Sequence, residues 1–304
     1  MAETKTAGQK LKEKLLVNDK NGWEEVKGKE KQKIEDFCEG YIDFLNKGKT
    51  ERECVKEAKR IAEENGFKPL EKFKKLKAGD KVYSINRDKN IILAVIGEEP
   101  LESGLQVVGS HIDSPRLDLK PNPLYEENGF AYFKTHYYGG IKKYQWVTMP
   151  LAIHGVVALK DGKKVEINVG EEEDDITFVI TDLLPHMARK QMEKKLSEGI
   201  EGEALNVLLG SIPYEDEKVS DKVKLNIMRI LNEKYGIVEK DFLSAEIEIV
   251  PAFKAKSLGF DRSMVAGYGQ DDRVCAYTSL KAICEVTKPK KTAICILVDK
   301  EEIG

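Results

Sequence analysis

The 304-residue chain has no long apolar run. Its longest, "IILAVIG" and "TAICILV", fall far short of the roughly 20 residues that a bilayer-spanning helix needs. The start, "MAETKTAGQKLKEKLL", has no apolar signal-peptide core and reads as an amphipathic helix. Cysteine is scarce: Cys38, Cys54, Cys275, Cys284 and Cys295 are odd in number and include no C-x-x-C pair. This excludes a disulfide framework and a cysteine-rich structural zinc site, and it points to reduced thiols in a cytoplasmic protein. No excess of one charge exists, since 50 Lys and Arg face 53 Asp and Glu for a net −3. Nothing therefore argues for a nucleic-acid or membrane partner. Repeats and low-complexity segments are absent, and there are only four histidines: His111, His136, His154 and His186.

What is present is a well-charged globular composition, 41% hydrophobic and 34% charged, long enough for about two domains. "KIEDFCEGYIDFLNKG" and "TERECVKEAKRIAEENGF" show helical spacing. The second opens on a Thr50/Glu53 capping box and closes at Gly66. "KVYSIN" and "NIILAVIG" form a hairpin around "RDK", and "LQVVGSHIDSP" is a third strand. From about Lys120 the texture becomes short β-strands, with a hairpin turn at Asp161-Gly162. "LLPHMARKQMEKKL" and "KVKLNIMRILNEKYG" read as helices, and "SAEIEIVPAF" as a strand. Beyond about Lys254 a helix, "DDRVCAYTSLKAICEV", and a doubly buried strand, "TAICILV", restore the α/β pattern. The expected organisation is an α/β domain in two parts, 1–119 and 254–304, interrupted by a β-rich insert, 120–253.

Three short motifs carry potential chemistry. In "SHIDSP", His111 and Asp113 leave the same face of a strand end, as a metal-ligating imidazole and its orienting acid would. A surface His–Asp pair is the plain alternative. In "GYGQDDRVCAY", Asp271 and Asp272 open a helix. One acid suffices for a cap, whereas a carboxylate can also bridge two cations. In "VDKEEIG", Glu301 and Glu302 follow a buried strand, where ligands gather in open α/β sheets. A solvated acidic loop is the alternative there. If the strands ending at His111 and before Glu301 are parallel neighbours, these groups converge. One histidine with carboxylates suits zinc or manganese in a hydrolytic site. A glycosidase built on paired acids would leave His111 without a task.

The blocks "SHIDSPRLDLKPNP", "HYYGGIKKYQW", "GEALNVLLGSIP", "GYGQDDR" and "DKEEIG" resemble, in order, those of the aspartyl aminopeptidase / aminopeptidase I family of two-zinc exopeptidases. The resemblance runs from about residue 80 and favours the bacterial aminopeptidase I branch, because "QWVTMPLAIHG" departs from the aspartyl-specific pattern. It implies a zinc-exopeptidase-like α/β/α domain interrupted by a dimerisation domain. It also implies hydrolysis of the N-terminal residue of a peptide by metal-activated water. By position, His111 resembles a ligand of one zinc, Asp271 the bridging ligand, and Glu302 a ligand of the second zinc. Glu301 resembles the general base and Asp113 the orienting acid, while His186 resembles a histidine reaching a neighbouring subunit's active site. His136 and His154 match no such role. Two zinc ions per subunit are implied, with manganese or cobalt as alternatives, and homodimers built into tetrahedral assemblies. The family pattern continues past "EEIG" with a further aspartate and histidine ligand, so little or no activity is expected of these 304 residues alone. A non-catalytic assembly protein with a relic metal site is the alternative.

Overall fold

The computed structural model describes residues 5–17 and 19–303. These form two compact units, one up to Gly40 and one from Tyr41 onward. In the first, α1 (Ala7–Leu15) starts with a Thr6/Gln9 capping box, and α2 (Gly22–Glu25) is a single turn capped by Asn21. Helix α3 (Lys29–Lys47) crosses the boundary and buries Tyr41, Phe44 and Leu45 in the second unit.

Helix α4 (Glu51–Glu64) has the expected reciprocal cap: Glu53 N–H donates to Thr50 Oγ1, and Thr50 N–H donates to Glu53 Oε2. Next come β1 (Lys68–Pro69), the hairpin β2 (Lys81–Asn86) and β3 (Asn90–Val95), and β4 (Gln106–His111). β5 (Arg116–Glu127) with β6 (Phe130–Tyr138), and β7 (Leu151–Ala158) with β8 (Lys164–Val169), follow as two antiparallel pairs in a second sheet. α5 (Arg189–Met192) and α6 (Leu196–Gly199) precede β9 (Val207–Gly210), α7 (Lys222–Tyr235) and β10 (Ala245–Pro251). A small hairpin, β11 (Lys256–Leu258) with β12 (Met264–Ala266), leads to α8 (Gln270–Glu285) and β13 (Ala293–Val298).

The first sheet runs β1-β2-β3-β13-β4. β13 pairs antiparallel with β3 and parallel with β4. Ile91, Leu93, Val95, Ala293, Cys295 and Leu297 bury one face with α4 and α8. The opposite face carries Ile92 and Val107, exposed by 44% and 57%, beside half-covered Ile294 and Ile296. The second sheet, β8-β7-β10-β5-β6-β9, is wholly antiparallel. Strand alternation divides its faces. Leu117, Ile153, Ile247 and Ile249 join the core that also takes Val223 of α7. Arg116, His154, Glu246 and Glu248 face the start of α4, where Glu51, Arg52 and Glu53 pair with Arg116, Glu246 and His154.

The "LLPHMARKQMEKKL" segment corrects the expectation of one helix. It forms a turn at 185–187 and then the single-turn α5 and α6. Its large apolar residues Leu183, Leu184, Met187, Met192 and Leu196 are all exposed and only Ala188 is buried, too little packing to support a longer helix. Among the described residues, no helix is long and apolar enough to cross a membrane.

Candidate metal centre

Two strand ends build the site. β4 and β13 are parallel, with Val298 opposite His111, so the segments after both strands leave the sheet side by side. Lys300 takes a positive φ of 81°, which is costly for a residue with a Cβ. The turn brings the next two amides onto Asp113. Glu301 N–H donates to Oδ1 at 3.2 Å and Glu302 N–H to Oδ2 at 3.1 Å. Tyr138 Oη donates to Oδ2 at 2.6 Å. Burial alone would raise the fully buried Asp113 carboxyl, but the bonds from Tyr138, Glu302 and Glu301 outweigh it and hold the pKa below the usual range.

His111 presents its ring above this anchor. Nδ1 lies 3.5 Å from Asp113 Oδ1 and 3.2 Å from the Asp113 carbonyl, while Nε2 faces Glu301 Oε2 at 4.0 Å. One ligand atom each from His111, Glu301 and Glu302 lie within 4.8 Å of one another. A carboxylate-rich corner of this kind is costly without a cation. Burial and the neighbouring carboxylates of Asp272 and Glu301 raise Glu302 to about 7. Asp272 Oδ1 is buried with no hydrogen-bond partner. An imidazole, crowded carboxylates and an orphaned buried oxygen fit a zinc ion.

The expected residues do not all meet. His111, Asp113, Glu301 and Glu302 converge, but Asp271 stays outside the three-residue cluster. Successive helical side chains diverge by about 100°. Asp271 in the first turn of α8 is exposed, whereas Asp272 turns inward, accepts from Ser114 Oγ at 2.5 Å and sets its charge beside Glu302. Neither aspartate caps α8, whose N-cap is Gly269. His186 is exposed in the 185–187 turn. His136 is an exposed β6 residue stacked on Tyr137, and His154 is buried on β7 between Glu53 and Glu171.

Sequence reasoning missed Tyr138, Ser114 and Gly139. Gly139 has a φ of 70°, and a Cβ there would meet Glu302 Oε2 at 3.0 Å. The "YYGG" run, a tyrosine before paired glycines beside two strand ends, was the available signal. Arg273 was also missed. It is buried, donates to Ser114 Oγ and to the Lys49 carbonyl, and sets its positive charge beside Asp272.

The chain can now be set beside known proteins. It is 56% identical over 294 residues to a probable M18 family aminopeptidase 1 of Clostridium acetobutylicum, covering 95% of this chain and 63% of that protein. The crystal structure of an M18 family aminopeptidase from Thermotoga maritima superposes with a TM-score of 0.89 at 49% identity, covering 95% of this chain and 62% of that one. Aminopeptidase I of Clostridium acetobutylicum superposes at 0.87 with 52% identity, covering 95% and 64%. The chain thus spans a little under two thirds of the length of these relatives. Residues 44–304 match the model of the aminopeptidase I zinc metalloproteases (M18), and the chain belongs to that family.

Proposed function

We propose that these residues form the metal-binding part of an aminopeptidase that removes the N-terminal residue of a peptide. The observation that carries this reading is the meeting of His111, Glu301 and Glu302 at the ends of two parallel strands. His111 and Glu302 would hold zinc, and two ions per subunit are part of the proposal, with manganese or cobalt as alternatives. When bound, the metal supplies a Lewis acid that polarises a carbonyl and acidifies water. Glu301, the most exposed of the three, takes the proton from water and returns it to the leaving amine. Asp113 holds the His111 ring and the backbone of both glutamates.

The bridging ligand comes from the aspartate pair. Family resemblance favours Asp271, and proximity to Glu302 favours Asp272. The remaining parts of the reading are the 120–253 insert as a dimerisation domain within 1–119 and 254–304, His186 reaching a neighbouring active site, tetrahedral assembly of dimers, and a cytoplasmic location. The five cysteines, all free thiols, agree with that location. The assembly-protein alternative gains no support from the comparisons.

Zinc titration of the purified chain, by competition with a chromophoric chelator, tests the centre. His111→Ala and Glu302→Gln are expected to weaken binding by at least the ~10–100-fold that loss of an outer-shell partner costs. Glu301→Gln is expected to keep zinc, since Glu301 acts on the proton. Asp271→Asn and Asp272→Asn identify the bridge by which of them loses affinity. Equal affinity in all five variants would remove the centre from consideration.

A further inference from the structure

Asp113 joins two otherwise separate tasks. The same buried carboxylate faces the His111 ring and fixes the amides of Glu301 and Glu302. Those groups all come from the end of β4 and from the segments that follow β4 and β13. The remaining donor, the Tyr138 hydroxyl, comes from the second sheet, at the end of β6.

Tyr138 has little freedom to move. It is buried, and it pairs across the sheet with Arg116 at the start of β5. The Arg116 guanidinium lies over the Tyr138 ring, 3.8 Å from its centroid. Arg116 is fixed in turn by Asp118 at 2.8 Å, Glu248 at 3.2 Å and Glu51 at 3.4 Å. One residue further on, Gly139 lets the backbone after β6 pass so near Glu302 that a Cβ there would crowd its side chain. The end of β6 therefore meets the centre twice.

We propose that Tyr138, backed by Arg116, is a positioning residue for the metal centre, and that the second sheet sets the centre's geometry through it. The proposal rests on the metal-binding reading above. Tyr138→Phe removes one oxygen and keeps the ring under Arg116, so the fold should persist. Two readouts on the full chain test it: zinc affinity, and NMR amide exchange of Glu301 and Glu302 in metal-free protein. Zinc affinity is expected to fall ~10–100-fold, and the two amides to exchange at least ~10-fold faster. Tyr125→Phe, a β5 ring stacked on Tyr132, is expected to change neither. A lower melting temperature with unchanged zinc affinity and amide exchange would reduce Tyr138 to a structural role and overturn the proposal. Absence of zinc uptake by the unaltered chain would overturn the metal reading itself, and amide exchange would then decide the clamp alone.

Discussion

His154 shows how a single residue can be chemically prominent without belonging to the candidate metal centre. Nδ1 meets Glu53 at 2.8 Å and Nε2 meets Glu171 at 3.3 Å, with Lys49 also on Glu171 at 3.0 Å. Burial lowers its pKa, but the bonds to Glu171 and Glu53 outweigh burial and raise it to about 9. The folded pKa lies above the ordinary value of about 6.5, so His154 contributes stability that is complete below that pH and lost as pH rises through about 9. The contribution is on the order of 3 kcal/mol. Urea unfolding of His154→Gln should give a lower midpoint than the unaltered chain at pH 6, with the gap closing by pH 10. A constant gap would remove the protonated state from the account. His111, by contrast, was legible in sequence because Asp113 follows two residues later, although β4 ends at His111 and Asp113 lies in the segment beyond it. Tyr138 had only the "YYGG" run to mark it, and its link to Asp113 depends on a sheet pairing that this run does not encode.

At the scale of elements, the start of α4 and the polar face of the second sheet are locked by charge. Arg116 has Glu51 on one side and Glu248 on the other, all deeply buried. Burial raises Glu51, but Arg116 and Lys89 outweigh it and hold it down at about 2, whereas burial and the Glu51 charge push Glu248 well up. The three-residue hairpin loop at 87–89, with Arg87 and Asp88 at positive φ, aims Lys89 into the same cluster, 2.9 Å from Glu51. Arg116→Met should therefore cost about 3–5 kcal/mol by denaturant unfolding, because it strands buried charge. Adding Glu51→Gln should recover part of that loss, and a double variant no more stable than Arg116→Met would dissolve the coupling. Thr50→Ala should cost only ~1 kcal/mol, the ordinary value of an N-cap. The α4 cap, the 87–89 loop and α7 were readable because their signals are local. The 183–196 segment misled because helical spacing says nothing about whether a partner surface exists.

At the scale of the whole molecule, the order of elements and the two local hairpins were legible, and the order of strands across each sheet was not. "TAICILV" read as a strand buried on both faces, yet its faces differ: Cys295 and Leu297 are fully buried, while Ile294 and Ile296 are half-covered. The difference arises because β13 lies between β3 and β4 in a sheet that α4 and α8 cover from one side. Sheets with parallel pairs are ordinarily covered on both faces. The open face, with Val107 on edge strand β4, is thus the most exposed apolar part of this sheet and should bind the dye ANS in the purified 304-residue chain. Val107→Lys should reduce dye binding and leave the stability from urea unfolding within ~0.5 kcal/mol, since an exposed side chain has little burial to lose. If the substitution instead lowers the midpoint in a protein-concentration-dependent manner, a second copy covers this face in solution. Self-association would then involve the first sheet.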